Sequence, residues 1–101
     1  MQYRIEISST KKGVARLHLP GRRLELEARR ELNAAWQVAV GDSRIVESGI
    51  VSGIVNVRAG NANEAVWRVA RAAVRAIAEL TGSPLQPDET SEPDPARAAR
   101  G

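Results

Sequence analysis

The sequence predicts an α+β fold: an antiparallel meander of five to six strands with one C-terminal helix packed on one face, followed by a disordered C-terminal tail. Three observations lead to this prediction. Apolar and polar residues alternate through most of residues 2–57, glycine and proline separate the alternating stretches, and residues 63–82 have helical periodicity instead. A sheet with one apolar face and an amphipathic helix bury their apolar surfaces by packing against each other as two layers.

The first two strands are predicted from alternation over residues 2–9 and 13–19. Successive side chains of a strand point to opposite faces, so every second residue belongs to the inward face. The connection between the two strands ends in Gly13, which favours a hairpin. The inward positions of both strands are apolar: Tyr3, Ile5, Ile7, Ala15, Leu17 and Leu19.

A type II turn over Leu19-Pro20-Gly21-Arg22 predicts the start of the third strand, since proline suits the second position and glycine accepts the positive φ of the third. Residues 22–35 are compatible with a strand or a helix, because good helix formers are frequent there. A helix would turn Leu26 away from the core. We therefore predict a strand to Ala28 and a short helical or irregular connection over 29–34.

A fourth strand is predicted next, and Gly41-Asp42-Ser43 is expected to turn the chain into residues 44–47. Three residues of the fourth strand are expected to point inward: Trp36, Val38 and Val40. The uncharged decapeptide SGIVSGIVNV, residues 48–57, is predicted to form the last strand, continuing to Arg58. A strand interior containing two glycines needs a physical reason.

The repeat in this decapeptide has a period of four, so Gly49 and Gly53 share one face of the strand. Glycine within a strand often marks the close approach of another backbone. We therefore expect Ala70 and Ala73 of the helix to lie over Gly53. The opposite face carries Ile50 and Ile54 without a nearby charge, and an apolar strand face left uncovered is prone to association. This pattern favours a homodimer or another protein partner.

The helix is predicted to begin after Asn63 as N-cap and to end at Gly82, before Pro84. One stripe at helical spacing is expected to be buried: Val66, Ala70, Ala73, Val74, Ile77 and Thr81. The opposite side is expected to face solvent: Glu64, Arg68, Arg71, Arg75 and Glu79.

The chain is predicted to contain one domain, residues 1–82, and a disordered tail, residues 83–101. The tail holds four of the five prolines and few large apolar residues, so its burial cannot offset the entropy lost on ordering. The body has 13 basic and 8 acidic residues, and the tail has 2 and 4. The alternative to a solubilising tail is that its acidic residues fold back on the basic body. These residues are Asp88, Glu89, Glu92 and Asp94.

Cysteine is absent, which excludes disulfides and thiolate metal sites. The N-terminus places its charges after its apolar residues, the reverse of a secretory signal, and we expect a cytoplasmic location. The longest uncharged run has ten residues, about half of the ~20 that a membrane-spanning helix requires.

Catalytic motifs are not found. His18 is the one histidine and lies on the outer face of its strand, no serine occurs in a GxSxG motif, and the glycines fit no nucleotide-binding pattern. Glu25 and Glu27 share a strand face with Arg23 and the cross-strand Arg16, which favours ion pairs over acid–base catalysis. We expect a protein that is not an enzyme and that binds neither cofactor nor metal.

Two functional hypotheses remain. The first is a self-associating protein-interaction module whose contact includes Ile50, Ile54 and Trp67, since tryptophan is enriched at protein interfaces. The second is an accessory nucleic-acid-binding protein, because arginines on a helix face can neutralise phosphates. Its basic residues are Arg68, Arg71 and Arg75 on the helix and the doublets Lys11-Lys12 and Arg29-Arg30, which are expected to meet at one end of the sheet. Pairs with Glu64 and Glu79, four residues away, are expected to engage Arg68 and Arg75.

Overall fold

The computed structural model describes residues 1–42 and 53–98. Its elements, numbered here in chain order, are β1 Gln2–Ile7, β2 Val14–Leu19, β3 Arg22–Leu32, β4 Ala35–Asp42, β5 Gly53–Arg58, α1 Ala62–Thr81, β6 Gln86–Pro87 and α2 Pro95–Ala98.

The described strands form one six-stranded sheet in the order β5-β4-β3-β2-β1-β6. Neighbouring strands are antiparallel except for β6, which pairs with β1 in parallel. Helix α1 packs across one face of β1 to β5. The predicted α+β architecture is confirmed, although the sixth strand comes from the tail.

The core lies between this sheet and α1. The inward positions predicted for β1 to β4 are all buried or packed against the core. The buried core residues are Tyr3, Ile5, Ala15, Leu17, Leu26, Val38, Ala59, Ala65, Val66, Val69, Ala70 and Val74. The predicted turn between β2 and β3 is also present, with Gly21 at φ 72° and Leu19 paired with Arg22.

The prediction for residues 29–34 was wrong. Strand β3 continues to Leu32, with a bulge between Ala28 and Arg30 that leaves Arg29 as the extra residue. A two-residue turn at Asn33 and Ala34 then leads into β4, with φ of 52° and 64°. Hairpin turns with positive φ at both central residues match the twist of the strands, and asparagine tolerates this conformation well, whereas alanine does not.

The predicted turn at Gly41 and Asp42 was also wrong. Both residues belong to β4, where Gly41 pairs with Glu25 and Asp42 with Leu24. The antiparallel pairing of β4 with β3 therefore continues past Gly41 to Asp42. The strand predicted over 44–47, and the repeat as far as residue 52, lie outside the described residues.

Gly53 is exposed, and a Cβ added there would meet no atom within 4 Å. Val38 of β4 pairs with Val55 of β5 on the helix side of the sheet, so the predicted faces of this strand are correct. The predicted close approach of α1 over Gly53 was wrong, because the strand lies at the edge of the sheet, where no atom of the helix covers the glycine. Gly49 lies outside the described residues.

The close approach to the helix occurs at Gly13 instead. Gly13 is buried with φ of 75°, and an added Cβ would lie 2.9 Å from the Ala62 Cβ and 3.1 Å from the Ala28 Cβ. Its carbonyl accepts a hydrogen bond from the Ala28 N–H at 2.7 Å, and its N–H donates to Asn63 Oδ1 at 2.8 Å. The loop between β1 and β2 is therefore fixed to both β3 and the first turn of α1.

Asn61, and not the predicted Asn63, is the N-cap of α1. Its Oδ1 accepts a hydrogen bond from the Glu64 N–H at 2.9 Å, which satisfies one of the free donors of the first turn. Gly82 at φ 69° ends the helix as predicted. Asn63 cannot be the cap because it lies inside the helix and binds Gly13.

Replacing Asn61 with alanine is expected to lower the free energy of unfolding by ~1 kcal/mol, because the helix loses its capping acceptor. Replacing it with serine, which keeps an acceptor oxygen, is expected to lower the free energy of unfolding by only a few tenths of the loss caused by alanine. Urea denaturation of both variants measures the difference. Equal losses would show that the side-chain oxygen does not cap the helix.

The described part of the tail, residues 83–98, contacts the sheet and α1. Leu85 packs against the core, and residues 86 and 87 pair with Gln2 and Tyr3 of β1. Helix α2 contacts α1. The edge of β1 supplies backbone hydrogen-bonding partners, which compensate for the small apolar area of this segment. Residues 99–101 lie outside the described part.

Candidate functional site

Strand β5 forms one edge of the sheet, and its outer side has no strand partner among the described residues. Its apolar residues are unusually open: Ile54 is 57% exposed and Val55 is 42% exposed. Ile54 pairs with Ala39 on the face of the sheet opposite α1. The outer side of β5, residues 54–58, is called the free edge below.

The backbone groups of the free edge can be assigned from the ladder. The Ala59 N–H donates to the Ala34 carbonyl at 3.0 Å, so residue 59 points toward β4. Alternation along an antiparallel strand then directs the N–H and C=O groups of Ile54 and Asn56 outward. The Arg58 carbonyl also points outward but accepts a hydrogen bond from the Arg68 guanidinium at 2.7 Å. Ile54 and Asn56 thus present outward-directed backbone donors and acceptors.

The three residues predicted for a protein contact do not form one described surface. Ile50 lies outside the described residues. Trp67 is half-buried, packs against the core and donates from its indole N–H to the Glu92 carbonyl at 2.9 Å. Sequence reasoning missed this contact because it assigned no structure to residues 83–98. Ile54 is the member of the three that the structure places on an open surface.

The arginine face of α1 is largely engaged. Arg68 binds Glu64 at 2.6 Å, as the spacing predicted, and the Arg71 guanidinium lies 5.8 Å from the centre of the Tyr3 ring. Glu64 was predicted to be exposed but is 93% buried, and its other oxygen accepts from the Gly60 N–H at 3.2 Å. The predicted pair between Arg75 and Glu79 is not formed in the described structure.

A shallow groove of about 440 Å³ follows this face of the helix. Arg71 and Arg75 line it together with Asp94 of the tail. A tail carboxylate thus lies in the groove that also contains the arginines. The groove is open to solvent and its lining includes no arrangement of an acid and a base around a nucleophile.

The two basic doublets meet at one end of the sheet. Lys12 precedes Gly13 and Arg29 follows Ala28, and Gly13 and Ala28 are joined by the 2.7 Å backbone hydrogen bond. Lys11 lies 3.9 Å from a Glu27 carboxylate oxygen. No ion pair joins Lys12, Arg29 or Arg30 to another described residue. Within residues 1–42 and 53–98, this end of the sheet therefore carries positive charges that no ion pair compensates.

Ion pairs cover much of the outer face of the sheet. Glu25 binds Arg16 at 3.2 Å and Arg23 at 3.3 Å, as the spacing predicted, so it is held by two cations. The Glu27 contact is with Lys11 instead.

His18 joins a second polar cluster on the outer face. Its Nε2 lies 3.0 Å from Glu6 Oε1 and 3.2 Å from the Arg4 guanidinium. The hydrogen bond from His18 lowers the pKa of Glu6, and the charges of Arg4, His18 and Arg16 lower it further against the opposing effect of burial. The cluster therefore stabilises ionised Glu6.

A depressed pKa in the folded state means that ionised Glu6 contributes stability above its unfolded pKa of ~4.3, and that this contribution is lost as the pH falls through the folded pKa. We expect Glu6→Gln to lose less stability than the unmodified protein between pH 5 and about 3. Urea midpoints across this range measure the loss. Parallel curves for Glu6→Gln and the unmodified protein would contradict the assignment.

The described residues contain no group of three or more histidine, cysteine, aspartate or glutamate side chains placed to hold a metal ion. No described helix is both long and apolar enough to span a bilayer. In comparisons with known proteins, the chain matches no family model, and no significant match was found among curated proteins or solved structures. The functional assignment therefore rests on the surfaces above.

Proposed function

We propose that this protein is a small, non-enzymatic cytoplasmic module that associates with a second copy of itself through the free edge of β5. The observation that carries the proposal is the exposure of Ile54 beside outward-directed backbone groups. An uncapped strand edge of this kind is a template for pairing with another strand. No charge interrupts the edge before Arg58.

Two copies of β5 pair most simply in antiparallel orientation about a two-fold axis at Val55. Ile54 of each copy then lies opposite Asn56 of the other, and each such pair exchanges both of its N–H···O bonds. Val55 faces its own counterpart as a non-hydrogen-bonded pair, where side chains are closest.

Ile54→Lys is expected to prevent self-association, since it places a cation at the contact, while Leu32→Lys, at another exposed apolar position, leaves it intact. Sedimentation equilibrium measures the mass: twice the 10.9 kDa of one chain for the unmodified protein at micromolar concentration, and 10.9 kDa for the variant. A second variant, Asn56→Pro, removes an outward N–H without removing a bond to β4. A monomeric unmodified protein at micromolar concentration would exclude the proposal.

Nucleic-acid binding is the second candidate function. It is favoured by Lys12, Arg29 and Arg30, which form no ion pair with another described residue. Lys11 adjoins them. Arg68 and Arg71 would have to exchange their present contacts for phosphates, and Arg75 lies beside them in the groove. Binding to labelled single-stranded DNA and RNA is expected to weaken steeply with salt if phosphates are contacted. Arg29→Ala should weaken it and Arg16→Ala should not. The absence of binding at low salt would eliminate this function.

A further inference from the structure

The tail is attached to the edge of β1 mainly through backbone hydrogen bonds. The Gln86 and Asp88 N–H groups donate to the carbonyls of Met1 and Tyr3, at 3.0 and 2.9 Å. Further along, Ile5 both donates and accepts: its N–H reaches the Ser91 hydroxyl at 3.0 Å, and its carbonyl accepts from the Glu92 N–H at 2.9 Å. These contacts recognise an extended backbone more than a particular set of side chains.

Side chains add a second layer of recognition. Trp67 donates to the Glu92 carbonyl at 2.9 Å, and Leu85 packs against the core at the start of the segment. Asp94 lies in the groove that Arg71 and Arg75 line. The bound segment is thus an extended acidic peptide with one apolar anchor, and it lies against a basic body.

Proline shapes the same segment. Pro84, Pro87, Pro93 and Pro95 restrict the backbone, so less conformational entropy is lost on docking. A turn at Asp88, whose Oδ1 accepts from the Thr90 N–H and hydroxyl at 2.7 Å each, connects the residues bound to Tyr3 with those bound to Ile5. The segment is preorganised for this site by its own sequence.

We propose that the edge of β1 together with Trp67 is a peptide-binding site for an extended, acidic, proline-flanked segment, which residues 85–94 occupy in cis and which such a segment of another chain can occupy in their place. Strand addition at a sheet edge is a general mode of peptide recognition, with main-chain bonds providing affinity. The site lies on the side of the sheet opposite the free edge of β5, so it is independent of the self-association proposed above.

The covalent connection explains why the tail occupies the site. A short tether gives a ligand an effective concentration in the millimolar range, which favours the cis segment over a free peptide of equal affinity. Weakening the tail within the intact chain therefore exposes the site without changing the residues that form it. Ser91→Ala removes the acceptor of the Ile5 N–H, and Glu92→Pro removes the donor to the Ile5 carbonyl.

The test uses the full chain labelled with ¹⁵N and an unlabelled peptide with the sequence of residues 85–95, LQPDETSEPDP. The peptide is expected to shift the Ile5 amide and the Trp67 indole signals of the double variant Ser91→Ala/Glu92→Pro. Half-saturation should require at least tenfold less peptide than with the unmodified protein. A peptide carrying the same two changes is the matched control and should bind at least tenfold more weakly. Equal responses of the two proteins, or no saturable shift at millimolar peptide, would overturn the proposal.

Hydrogen exchange of the unmodified chain provides an independent readout should the double variant fail to fold. The Ile5 N–H is bonded to the tail, so its exchange reports release of the segment. We expect it to exchange at least tenfold faster than the slowest core amides. Exchange of Ile5 only at the rate of global unfolding would overturn the proposal, because a segment that never leaves cannot be replaced.

Discussion

Gly13→Ala is expected to lower the free energy of unfolding by about 2–5 kcal/mol. Positive φ costs an L-residue ~1–2 kcal/mol, and overpacking a closely packed site costs about 1–3 kcal/mol. Both apply here, because Gly13 has φ of 75° and the added Cβ would meet Ala62 at 2.9 Å and Ala28 at 3.1 Å. For a chain of this size the melting temperature should fall by ~4–8 °C per kcal/mol.

Gly21→Ala is the matched control for this prediction. Gly21 has nearly the same φ, 72°, but an added Cβ would meet no atom within 4 Å. Only the conformational cost of ~1–2 kcal/mol should remain. Thermal unfolding of both variants separates backbone strain from crowding. Equal losses of stability in the two variants would show that the loop containing Gly13 moves to accept the added methyl group, and that its contact with α1 does not stabilise the fold.

Leu17→Ala is expected to be the more damaging of two leucine truncations, at about 2–5 kcal/mol. Leu17 is 0% exposed in the middle of the sheet, paired with Ile5 on one side and Leu24 on the other. Truncation removes buried apolar surface and leaves a cavity that neighbours on two strands cannot readily fill. Since a small domain has a total stability of about 5–15 kcal/mol, this loss is a large fraction of the total and should lower the melting temperature accordingly.

Leu32→Ala makes the same chemical change at a residue that is 72% exposed and should alter stability by no more than ~0.5 kcal/mol. Urea denaturation at 25 °C gives both values, and an unchanged slope with denaturant would show that the unfolded states are comparable. A loss at Leu32 as large as the loss at Leu17 would contradict the packing described for the core.

The alternation of apolar and polar residues predicted the sheet because each of the first four strands has one buried face. Burial of that face requires every second residue of the strand to be apolar. Leu17 and Val38 could therefore be assigned to the core from the sequence. The placement of Ile54 on the face opposite the helix was also predictable, because the repeat of period four assigns alternate residues of β5 to opposite faces.

Features that depend on conformation at single residues were not predictable in this way. The bulge at Arg29 and the positive φ of Ala34 leave no mark in the amino-acid composition or in the alternation of the preceding residues. The end of β3 was therefore predicted too early. Gly41 resembles a turn residue but pairs within β4. Gly13 was interpreted as a turn residue alone, although its closest neighbours come from β3 and α1.

The contact between the tail and β1 was missed for a different reason. Composition measures how much apolar area a segment can bury, but residues 86–92 are held by main-chain groups, which every sequence possesses. The charge asymmetry between body and tail did indicate that the two attract. The predicted meander placed β1 at an edge of the sheet, but the sequence carried no sign that the tail would pair with that edge.

The sheet is unequal at its two sides, since β1 is covered by the chain's own C-terminal segment while β5 has no described neighbour. A sheet of this kind stops adding strands once the β5 edges of two copies have paired. The opposite edge of each copy is covered by its own C-terminal segment. If two copies associate through β5 as proposed above, they would form a pair of finite size rather than stack without limit into fibres.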